Sequence, residues 1–152
     1  MLLNDMKLEI KNYIEPRVDS CFVELKSELE KRRSEVTLNN MDIEVALGSE
    51  RVYVDIDREM IISKLGEANR FDNFDAEVQS PSYDLGSIAM EIASQEAQYC
   101  YFEYVGYMIL YPDFKITKTP MSDSTIIYSI LHKKSGKEMN IAIRGCAIPP
   151  GL

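Results

Sequence analysis

The chain has no tryptophan, one histidine, three cysteines and seven glycines among its 152 residues. Each shortage narrows the chemistry. With a single imidazole, any Ser-His-Asp or Cys-His machinery would have to use His132. That residue precedes "KKSG" at the end of an expected strand, where an exposed turn histidine is the reading. The glycines stand singly, so neither a P-loop nor a Gly-x-Gly-x-x-Gly fingerprint is present, and no Gly-x-Ser-x-Gly elbow accompanies the serines. Cys21, Cys100 and Cys146 are odd in number and far apart, with no Cys-x-x-Cys pair. Their spacing fits neither a disulfide framework nor a zinc site, which leaves idle thiols in a reducing compartment as the expectation. No apolar run approaches the roughly 20 residues of a spanning helix. The first ten residues, "MLLNDMKLEI", interrupt their apolar positions with Asp5, Lys7 and Glu9, unlike the core of a signal peptide. These absences predict a soluble, cytoplasmic protein that is not an enzyme, with no catalytic residues, cofactor or metal.

What is present is charge, unevenly spread. Residues 1–34 hold seven acids and seven bases; residues 35–112 hold fifteen acids and four bases; residues 113–152 hold three acids and six bases. The middle therefore carries a net −11 and accounts for the overall −8. Such a field repels phosphate backbones and attracts a basic protein or a cation. Nucleic acid and membrane are not expected partners.

The pattern predicts one α+β domain spanning 1–152, with a helical segment at 1–34, the acidic middle at 35–112 and a β-hairpin region at 113–152. Met6, Ile10, Ile14, Val18, Phe22, Leu25 and Leu29 recur at helical spacing, and Pro16 predicts a break near Glu15. The stripe is expected to pack on the domain's own sheet, with a homodimer through these helices as the alternative. Met41, Ile43, Val45 and Leu47 alternate, as do Val52, Val54 and Ile56, giving a hairpin across "GSE". A short helix is expected from Arg58 to Leu65, ended by Gly66. Residues 67–83 show no clean period and read as a long irregular connection. A helix follows from Asp84, burying Leu85, Ile88, Ala89 and Ile92 on one face, with Glu96 and Ala97 continuing it. The aromatic run Tyr99 to Tyr111 reads as a buried strand. Phe114–Thr119, Thr125–His132 and Glu138–Arg144 complete an antiparallel meander.

Two stretches carry candidate function. In "YVDIDREM", Tyr53, Asp55 and Asp57 point away from a core made by Val52, Val54 and Ile56, and Asp57 with Glu59 would serve a following helix N-terminus. In "RFDNFDAE", Phe71 and Phe74 stand among Asp72, Asp75 and Glu77, with Tyr83 beyond. Aromatics within an acidic rim suit a basic protein surface. Lys133, Lys134 and Lys137 read as a solvated turn. The expected function is a protein-binding module that covers a basic partner, as an immunity protein, antitoxin or inhibitor does. A second expectation is a small-ligand pocket, or a modest enzyme, between helix 84–98 and the C-terminal sheet, lined by Tyr104, Tyr107, Tyr128 or Arg144. A third is a homo-oligomeric structural subunit.

Overall fold

A computed structural model describes residues 1–146. Among these residues, three helices and two three-stranded antiparallel sheets make an α+β protein. The tail from Ala147, including its two prolines, lies outside the described residues. By its internal contacts the chain divides into two compact units, one formed by Leu3–Gln79 and the other from Ser80 onward.

The first unit comprises helix α1 (Leu2–Lys31) and strands β1 (Glu35–Gly48), β2 (Arg51–Lys64) and β3 (Glu67–Gln79), in the order β1-β2-β3. The helix does not break at Pro16. A proline inside a helix removes the amide that would bond the carbonyl four residues back. Here Pro16 and Asn12 are both exposed, so that carbonyl lies on the outer side, within reach of water. At 30 residues α1 is about 45 Å long, and 14-residue strands span about 46 Å, so helix and strands match end to end. Phe22 packs with Val36 and Met60, and Ile14 and Val18 pack against Ile43, Val52 and Val54. The helical stripe thus uses its own sheet.

Two further expectations fail in this unit. Residues 58–64 are the second half of β2 rather than a helix, and 67–79 are strand β3 rather than an irregular connection. The pairings slip between Leu38 and Met41 and between Asp57 and Met60. The alternation is reset on β1 between Leu38 and Met41 and on β3 between Phe71 and Phe74, so their apolar positions fall out of one period-two series; on β2 the inward series from Val52 to Met60 is unbroken but includes the charged Arg58. Gly66 ends no helix; it turns the β2–β3 hairpin together with Leu65, both at positive φ (84° and 52°). Two such residues are what a type I′ turn requires, and leucine is a poor choice there because its Cβ crowds the backbone. Leu65→Asn is expected to stabilise this unit by about 0.5–1 kcal/mol, read as a higher urea midpoint at unchanged slope.

The second unit comprises α2 (Ser82–Tyr99), α3 (Tyr104–Leu110), β4 (Phe114–Pro120), β5 (Thr125–His132) and β6 (Lys137–Arg144). The meander follows the alternation seen in the sequence. Ile126, Tyr128 and Ile130 on β5 oppose Ile143, Ile141 and Met139 on β6 and face α2. Leu85, Ile88, Ala89 and Ile92 complete the core from the helix side.

Residues 99–111 are not a strand. Cys100 closes α2 in the left-handed conformation, Phe102 turns into the core, and Glu103 caps α3 by accepting a hydrogen bond from the Gly106 amide at 3.2 Å. Tyr101 Oη donates to the same carboxylate at 2.6 Å. These two bonds hold the Glu103 carboxyl below its usual range.

The reading of three idle thiols is also corrected. Cys100 and Cys146 form a disulfide across a sequence separation of 46, and Cys21 is free and exposed. His132 is buried rather than exposed: its ring lies 5.1 Å from that of Phe114, and Nδ1 is 2.8 Å from Ser135 Oγ. Ser135 Oγ also accepts from the Lys137 amide, so this pair closes the β5–β6 turn.

Candidate functional site

The central strand β2 shows how the first sheet is used. Val52, Val54, Arg58 and Met60 are buried toward α1, whereas Arg51, Tyr53, Asp55 and Asp57 are exposed on the opposite face. A central strand with one exposed row means that nothing in its own unit covers that face.

The register then decides what the face presents. Asp42 lies opposite Asp57, which lies opposite Asn73; Glu44 lies opposite Asp55, which lies opposite Asp75; Ala46, Tyr53 and Glu77 form the next row. Five carboxylates thus occupy adjacent positions across three strands. They surround a shallow depression of about 490 Å³ lined by Asp42, Glu44, Asp55, Asp57, Asn73 and Asp75. Like charges directly opposite one another destabilise a sheet.

Compensation is confined to the margins. Lys11 Nζ meets Asp42 Oδ1 at 2.9 Å, and the Ile43 amide donates to the same oxygen. Those two bonds lower the Asp42 carboxyl, and the bond to Asp42 raises the Lys11 ammonium. Arg51 pairs with Glu77, and Arg70 pairs with Glu59 at 2.7 Å. Among the described residues, Glu44, Asp55, Asp57 and Asp75 have no ion-pair partner. Nor do any three carboxylate, imidazole or thiol groups among these residues converge closely enough to hold a metal ion.

The stretch Tyr53–Met60 is not the strand-to-helix junction that was expected. Asp57 and Glu59 start no helix; both lie within β2. The remaining candidates separate by face. Tyr53, Asp55, Asp75 and Glu77 belong to the open acidic face. Phe71 and Phe74 sit on the α1 side, paired with Met60 and Ile56, and Phe74 meets Phe22 edge-on at 5.1 Å. Asp72 stands at the register slip and approaches Arg70 at 3.8 Å. Tyr83 belongs to α2 in the second unit. Asp42 and Glu44 were missed, although Ile43 and Val45 between and beside them already assigned these acids to the other side of β1.

Three of the residues expected to line a pocket beneath α2 belong to the core of this unit or pack against it. Tyr128 is fully buried at 0% exposure within the core, and Tyr104 and Tyr107 pack against that core. Tyr128 Oη donates to Glu96, whose carboxylate also accepts from Lys118 Nζ at 3.1 Å. Arg144 lies on the other face of β6, exposed.

No helix among the described residues is long and apolar enough to cross a membrane. The chain matches no family model, no curated protein and no solved structure.

Proposed function

We propose that the protein is a binding module whose open acidic sheet face covers a basic partner protein. The observation that carries this reading is the row Glu44–Asp55–Asp75 beside Asp42–Asp57, carboxylates set directly opposite one another in the middle of an uncovered face. A sheet built only for stability would alternate signs there. Keeping one sign sacrifices stability, as functional surfaces do. An acidic surface of this kind steers a cationic partner and accelerates its association. Immunity proteins, antitoxins and inhibitors of basic enzymes share this logic. The disulfide favours an oxidising setting over the cytoplasm.

The test compares two baits, the native protein and Glu44→Gln/Asp55→Asn/Asp57→Asn/Asp75→Asn, for capture from the source cells at low and high salt. The expected result is a basic protein retained by the native bait, weakened by salt and lost from the neutralised bait, with association slowed about tenfold or more. The neutralised protein should also unfold at a higher urea concentration, because the like-charge rows are gone. Equal capture by both baits would remove the face from the interface.

A further inference from the structure

The apolar side of β3 is as unfinished as the acidic one. A helix about 10 Å across covers about two strands spaced about 4.8 Å apart, so α1 covers β1 and β2 and reaches β3 at Phe74, which meets Phe22. On either side of Phe74 the same face of β3 stays open, with Phe71 at 45% and Val78 at 55% exposure. Between this strand and α1 runs a groove of about 680 Å³ lined by Val18, Cys21, Leu25, Ile56 and Phe74, with Arg17 at its rim. The outer edge of β3 pairs with no strand among the described residues. Long edges are ordinarily blunted by lysine, proline or short length. This one runs 13 residues, "EANRFDNFDAEVQ", without lysine or proline, and its charges, Glu67, Asp72, Asp75 and Glu77 against the single Arg70, repel an acidic strand and admit a cationic one.

From this geometry, and resting on the basic-partner reading above, we propose that the partner docks by adding an extended segment to β3 as a fourth strand. Side chains of an added strand point alternately to the two faces. One set would fill the α1–β3 groove, and the other would lie over the acidic face beside Asp75 and Glu77. The segment that fits therefore alternates apolar and cationic residues. A second copy of this chain is the poorer match: in parallel register β3 sets Asp72, Asp75 and Glu77 each against its own kind, and an antiparallel pair centred between Asp72 and Asp75 still sets those two together.

The test uses three labelled eleven-residue peptides and fluorescence polarisation: alternating valine and lysine, the same sequence with N-methylated amides, and alternating valine and glutamate. The valine–lysine peptide is expected to bind at least tenfold more tightly than either control and to slow amide exchange along residues 67–79. Val78→Asp, an exposed change on the groove side, should weaken it severalfold while the far-ultraviolet spectrum stays native. Equal binding of the methylated and unmethylated peptides, or unchanged exchange in β3, overturns strand addition and leaves the acidic-face reading intact. Failure of every cationic peptide to bind at low salt overturns both.

Discussion

Removing the Cys100–Cys146 bond, by reduction or as Cys100→Ser/Cys146→Ser, is expected to cost the second unit about 4 kcal/mol. The bond ties the end of α2 to the residues just past β6, across a sequence separation of 46. Closing a loop of that length removes roughly this much chain entropy from the unfolded state. For a unit of about seventy residues, that is a drop in Tm of roughly 15–30 °C. The loss should be local: amides of α2 and β4–β6 lose protection while those of β1–β3 keep theirs, because no part of the first unit is spanned by the bond. Cys21→Ser is the control, since Cys21 is exposed and unbonded. A reduced protein that melts like the oxidised one would contradict the assignment. The same bond bears on where the protein works. Alkylation of protein taken directly from its source cells should modify one cysteine in an oxidising compartment and three in a reducing one.

The regions legible in the sequence are those where one period runs unbroken. Strands β4 to β6 were readable to within a residue because Ile126, Tyr128 and Ile130 alternate without interruption between clear turns. Helix α2 was readable because Leu85, Ile88, Ala89 and Ile92 keep to one side. Strand β3 was not, for a physical reason. Phe74, Ala76 and Val78 do alternate with Asp75 and Glu77, but the slip beside Asp72 puts Phe71 three residues before Phe74, and the strand then looks aperiodic. The acidic face was half legible. Alternation along β2 placed Asp55 and Asp57 on the outer side, but only the pairing register brings Asp42, Glu44 and Asp75 beside them. The disulfide left no local trace, because folding of α2 onto its sheet is what brings two distant cysteines together.

Lys118→Met is expected to destabilise the second unit by about 3–5 kcal/mol, far more than loss of an exposed lysine would. Lys118 reaches Glu96, a carboxylate buried to 3% exposure, and its ammonium lies 5.3 Å from the Tyr128 ring centre. Without the ammonium, the buried carboxylate keeps only the hydroxyl of Tyr128, and an uncompensated buried charge is costly. Adding Glu96→Gln should recover most of the loss, because the amide oxygen still accepts from Tyr128 and no charge remains to be paired. A double variant no better than the single would show that Lys118 acts through packing alone. The pH dependence follows from the same cluster. Burial and then the bond to Glu96 push the Tyr128 phenol up to about 12 from its ordinary 10. Burial works against the Lys118 ammonium, but hydrogen bonds to Tyr128 and Glu96 outweigh it and raise that group as well. A group raised on folding contributes fully below its unfolded pKa and loses that contribution as pH climbs through its folded one. Stability of the second unit should therefore hold to about pH 10 and fall toward pH 12, and Tyr128→Phe should flatten that fall.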